Sequence, residues 1–215
     1  MKRSLVLTLL ALLVAIAPMF LRDFYVSLLN MIGIYVLVVL GLTMLVGWTG
    51  LISFGHAAFF GVGAYATAWF TTAQGGSPVA GLLLGVAVTG GIAVVLGAIS
   101  LRLSGHYLSL ATLAWGMGLY LLFGNLHMLG RQNGISGIPH IAILDMRLDS
   151  VRELYWLIWA FVGLAMLATF NLAWSRQGRG ARLLKGGVIL GACFGVNSFT
   201  VRLTVFVIGA VFASV

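Results

Sequence analysis

Charged residues divide this chain into long apolar intervals. No Asp, Glu, Lys or Arg occurs between Asp23 and Arg102, between Arg102 and Arg131, or between Glu153 and Arg176. A charge at the centre of a membrane-crossing helix costs about 2.5–3.5 kcal/mol, so charges mark loops and uncharged intervals mark crossings. Within the intervals the apolar residues run on without alternating, the pattern of helices and not of barrel strands. At about 20 residues per crossing, the first interval holds three helices. Turn-forming residues at 47–50 and 74–78 separate them. The pattern predicts spans over 4–21, 24–46, 53–72, 79–101, 104–128, 154–174 and 199–215. That is an all-α polytopic bundle of about seven crossings, one transmembrane domain over 1–215.

Composition sharpens the class. Apolar residues make up 61% of the chain and charged residues 7%. A soluble domain carries about 25% charged residues, so this chain cannot cover a water-facing surface. The single cysteine, Cys193, excludes a disulfide scaffold. A net charge of +8 suggests nucleic acid, but the basic residues sit between apolar runs and form no aromatic-interleaved stripe. No nucleic-acid partner is expected.

The charge instead reports orientation. With the basic stretch Arg176 to Lys185 in the cytoplasm, the inside holds Lys2, Arg3, Arg102, Arg176, Arg179, Arg182, Lys185 and Arg202. The outside holds Arg22, Arg131, Arg147 and Arg152 with all four acids, Asp23, Asp145, Asp149 and Glu153. This satisfies the positive-inside rule and puts the amino terminus in the cytoplasm. Lys2-Arg3, an apolar stretch and Ala15-Ile16-Ala17 also resemble a secretory signal, but Pro18 falls where cleavage would occur. A retained first helix is expected. Among the 29 glycines, Gly81 and Gly85 form a G-x-x-x-G suited to close helix packing, and Gly191 and Gly195 repeat the spacing.

Little of the sequence carries chemistry. There is no G-x-x-x-x-G-K-S/T for ATP and no H-E-x-x-H. No acid lies within a span, so an ion-coupled carrier is disfavoured and any uphill transport draws its energy from elsewhere. Three stretches stand out. Residues 52–65 place Ser53, Gly55, His56, Gly61 and Tyr65 at the start of the third span, where clustered glycine suggests a broken or closely packed helix whose backbone lines a cavity. His56 either ties two helices together or donates to a substrate. Residues 131–153 read as a solvated linker, an outer lid or a docking surface. Residues 175–199 read as a basic amphipathic segment that rests on anionic lipid or plugs into a soluble subunit.

Four ordered blocks, 41–68, 101–116, 133–139 and 178–210, resemble the permease subunits of branched-chain amino-acid ABC importers. The resemblance implies passage of leucine, isoleucine or valine across a bacterial inner membrane, with a second permease subunit, two cytoplasmic ATPase subunits and a periplasmic amino-acid-binding protein as partners. The chain would be no enzyme and hold no cofactor, ATP being bound by the partner. Residues 175–198 would be the cytoplasmic coupling segment, with Arg182, Leu184, Lys185, Gly195, Val196 and Asn197 engaging the ATPase. Arg131, Asp145, Arg147 and Asp149 would face the binding protein, and Ser53, Gly55, His56, Gly61 and Tyr65 the substrate pathway. Family members carry an acid before the Gly-Val-Asn at 195–197; here Ala192 occupies that position. They also continue through further helices. The alternatives are a urea or short-amide importer permease, or a shortened, non-transporting membrane remnant.

Overall fold

The computed structural model describes residues 14, 16–103, 105–139, 142–143, 146–147 and 150–215. Val14 and residues 16–20 are helical and Leu21 follows in a bend; residues 4–13 and 15 of the expected first span lie outside the described residues. The helices that follow are α1 (Asp23–Thr49), α2 (His56–Ala73), α3 (Pro78–Ser100), α4 (His106–Asn125), α5 (Val151–Trp174), α6 (Arg176–Gly186), α7 (Val188–Cys193) and α8 (Ser198–Ser214). Two 3-10 turns, His127–Leu129 and Arg131–Asn133, follow α4. Between them and α5 two short strands, β1 (Ala142–Ile143) and β2 (Met146–Arg147), pair antiparallel. This hairpin is the one departure from an all-helical chain among the described residues.

Among the described residues, four helices, α1, α3, α4 and α5, are long and apolar enough to cross a membrane. α8 is apolar but has 17 residues. α2 has 18 residues and is too polar to meet the same standard. The expectation of seven crossings is therefore met in part.

Short polar residues begin several helices. Ser77 accepts from the Ala80 N–H and is followed by Pro78, whose missing N–H costs nothing at that position. Ser150 and Glu153 form a capping box on α5. Ser175 caps α6 through the Gly178 N–H, and Asn197 caps α8 through the Thr200 N–H.

Contacts along the helices fix their directions. Asp23 meets Arg152 and Gly33 meets Ile158, so α1 and α5 run parallel. Gly63 faces Gly85 and Thr67 faces Gly81, so α2 and α3 run antiparallel. Gly55 meets Thr112 and Gly61 meets Phe123, so α2 and α4 run parallel. α8 lies in the middle, with Val205, Phe206, Ala210 and Ala213 buried among Met44, Leu45, Phe59, Ala93 and Leu96.

Lipid gives helices no hydrophobic reason to associate, so contacts between small residues carry the packing. A Cβ at Gly41 would strike the Gly209 carbonyl and stand 2.8 Å from the His56 ring. Three helices, α1, α2 and α8, meet at that point. Gly81 and Gly85 do pack α3 against α2, through Thr67, Thr71 and the Gly63 carbonyl. Large apolar residues such as Phe20, Leu83, Leu110, Leu164 and Phe170 point outward.

Candidate functional site

The start of α2 is broken, as the glycines imply, but the helix begins at His56 and not at 53. Gly50 takes a left-handed φ of 69° and closes α1 by donating to the Val46 carbonyl. Residues 51–55 then run without helical hydrogen bonds because α4 supplies partners instead. The Phe54 N–H donates to Thr112 Oγ1 at 3.1 Å, and Ser109 Oγ donates to the Ile52 carbonyl at 3.2 Å. A side chain at Gly55 has no room, since its Cβ would fall on the Thr112 carbonyl.

Beside this clamp lies a cavity of about 10 Å³, lined in part by Ser53, Gly55, Ser100, Thr112 and Gly116. The hydroxyls of Ser53 and Ser100 are buried without a protein partner among the described residues. Its volume suits about one water. His56 lies elsewhere, buried at the Gly41–Gly209 junction with its ring edge-on to Phe59. It does not line the cavity.

Gly61 and Tyr65 lie farther along α2. A Cβ at Gly61 would touch the Phe123 ring at 3.0 Å, and Phe123 packs on Tyr65 with ring centroids 4.9 Å apart. Above this pair opens a second cavity of about 170 Å³, lined by Tyr65, Tyr120, Phe123, Asn125, Arg131 and Gln132 among others. Tyr65 and Arg131 were assigned to separate sites from the sequence; the fold brings them to one. Arg131 contacts His127 and has a φ of 55°, the only left-handed non-glycine residue among those described. Asp145 and Asp149, and the side chain of Arg147, lie outside the described residues.

The segment 175–198 is not one amphipathic helix. It divides at Gly187, whose φ is 142°, into α6 and the six-residue α7. α7 ends in a Schellman turn. The Val196 N–H reaches the Gly191 carbonyl, the Gly195 N–H reaches the Ala192 carbonyl, and Gly195 sits at φ 70°. Gly191 and Gly195 therefore do not form a helix-pairing motif: one packs on Leu184 and the other makes the turn.

The residues expected to engage an ATPase have internal partners. Leu184 is buried, and Val196 packs on Gly180. Asn197 caps α8. Lys185 donates to the Gly47 carbonyl at 3.1 Å, and Arg182 donates to the Ala173 carbonyl. Both cations thus sit at helix carboxyl ends, where the macrodipole favours them. On α7 and its turn, Val188, Ile189, Leu190 and Phe194 are exposed, Ile189 to 83%. None of the four was named individually from the sequence. The signal was the apolar run after Lys185, too short to span and set between glycines.

Residues 24–215 match the family described as branched-chain amino acid transport system / permease component. Two curated relatives are similar over most of the chain. One is the high-affinity branched-chain amino acid transport system permease protein LivM of Escherichia coli K12, 28% identical over 99% of this chain and 56% of that protein. The other is LivM of Salmonella typhimurium LT2, 30% identical over 87% of this chain and 50% of that protein. The chain spans about half the length of these relatives. No solved structure matches it significantly. A family match over nearly the whole chain, in step with a helical membrane bundle, makes this protein a member of the branched-chain amino acid transport system permease family.

Proposed function

We propose that the chain is a membrane-spanning part of an ATP-driven importer of branched-chain amino acids in the bacterial inner membrane. The observation that carries this reading is the family match over 24–215, which includes both the broken α2 start and the α6–α7 segment. The amino terminus is cytoplasmic, the chain makes about seven crossings, and residues 131–153 face outward toward a binding protein. In support, the alternating directions of the helices gather Gly47, His56 and the basic α6 toward one face and Asp23, Arg152 and Glu153 toward the other. A second permease subunit completes the pathway, and two ATPase subunits supply the energy.

In this reading α6 and α7 form the coupling element. Its basic residues fasten it to the ends of α1 and α5, and Val188, Ile189, Leu190 and Phe194 enter a groove on the ATPase. An apolar surface of this kind standing clear of the bundle is suited to a protein groove. The missing acid at Ala192 matters little here, because the contact is apolar. The test is co-purification of a P-loop ATPase with the tagged importer from detergent. Recovery in the wild type, lost in the doubly substituted Ile189→Glu, Phe194→Glu chain with normal membrane insertion, is the expected result. Full recovery from the double variant would remove α7 from the contact.

A further inference from the structure

The geometry points to the cavity of about 170 Å³ at the outer end of the α2–α4 seam as a receiving site for a free zwitterionic amino acid, with Arg131 holding its carboxylate. The inference rests on the importer reading and names where in this chain the cargo is met.

Three features of the cavity fit that class of ligand. Arg131 offers a guanidinium, the side chain best shaped to bind a carboxylate by two parallel hydrogen bonds. Asn125 spends its amide N–H on the Leu121 carbonyl, which leaves its side-chain oxygen as an acceptor for an ammonium. Gln132 supplies a second amide on the same wall. Tyr65, Tyr120, Leu121 and Phe123 line the remainder, a surface for an aliphatic side chain. The cation is held in place from two directions. Its side chain meets His127, in the preceding 3-10 turn, and its own backbone takes the left-handed conformation between Gly130 and Gly134. Non-glycine residues in that conformation gather at ligand clamps, where surrounding structure bears the strain.

The seam itself relates the cavity to transport. Thr112, Gly116, Leu119 and Phe123 recur at helical spacing along one face of α4. The first three line the small cavity at the broken α2 start, and Phe123 lines the large one. Between the two cavities Phe123 sits against Gly61 and Tyr65. A ligand at Arg131 therefore stands on the same α2–α4 seam as the broken α2 start, with the Phe123 ring packed on α2 beside it.

The test is binding of radiolabelled L-leucine to the complete permease assembly, purified without the external binding protein. L-Leucinol, which has the same side chain and ammonium but no carboxylate, competes in parallel. Arg131→Asn removes the cation while keeping a residue that tolerates the left-handed backbone. Leucine should bind at least about 10-fold more tightly than leucinol, a charge-assisted hydrogen-bond difference. Arg131→Asn should erase that preference by weakening leucine, without weakening leucinol, and Arg131→Lys should restore part of it. No saturable leucine binding, equal binding of the two compounds, or an unchanged preference in Arg131→Asn would overturn the inference. So would a co-purifying phospholipid, found by mass spectrometry in the wild type and lost in Arg131→Asn, that excludes leucine. Leucine uptake by cells carrying the same assembly separates the two levels. Uptake without Arg131-dependent binding removes the site alone, whereas uptake unaffected by deleting the whole chain removes the importer reading.

Discussion

Replacing Gly195 separates backbone conformation from contact, because nothing lies within 4 Å of where a Cβ would stand. Size alone therefore costs nothing at this position. The left-handed φ of 70° does cost: an L-residue there gives up about 1–2 kcal/mol, and the penalty is larger for a β-branched side chain. Asparagine bears the conformation with little loss. If the residue leaves the left-handed region, the Val196-to-Gly191 and Gly195-to-Ala192 hydrogen bonds go with it, at about 0.5–1.5 kcal/mol each. A loss of one to two kcal/mol changes a local equilibrium by roughly 5–30-fold. Gly195→Asn should thus transport near the wild-type rate, Gly195→Ala less, and Gly195→Val least, all inserting normally in the membrane. The assay is initial leucine uptake by cells carrying the complete importer, normalised to the amount of chain in the membrane. Recovery of the ATPase from the same membranes should fall in the same order. If Gly195→Asn were as damaging as Gly195→Val, a partner would be reading the surface of the turn and not its shape. If Gly195→Val transported normally, the turn would have no part in coupling.

Other sites give independent checks. Gly41→Leu forces a side chain against the Gly209 backbone and should destabilise the bundle by about 1–3 kcal/mol, seen as a lower melting temperature in detergent; Gly91→Ala, with open space around it, should leave melting unchanged or raise it slightly. Thr112→Val strands the Phe54 N–H and should cost about 1–3 kcal/mol, with faster amide exchange confined to 52–55 if the clamp acts as described. Asp23→Asn, which breaks an exposed ion pair with Arg152, should shift stability by less than about 1 kcal/mol in the same melting assay.

The sequence by itself determined where the chain crosses from polar to apolar surroundings. Uncharged intervals marked α1, α3, α4 and α5 to within a few residues, because a charge at the centre of a crossing helix costs about 2.5–3.5 kcal/mol and is kept to the loops. The caps at Ser77, Ser150, Ser175 and Asn197 emerged only with the structure, although they too answer a local need, that of the first N–H groups for an acceptor. The break before His56 was legible as clustered glycine, though its exact extent was not, since Thr112 and Ser109 on a distant helix decide it. The meeting of Tyr65 with Arg131, the burial of His56 between Gly41 and Gly209, and the hydrogen bonds of Lys185 and Arg182 to the carboxyl ends of α1 and α5 came only from the tertiary structure. In lipid nearly every apolar helix face is equally content beside a neighbour or beside acyl chains. Which faces meet is then decided by the close fit of small residues in three dimensions, and a one-dimensional pattern carries no record of that fit.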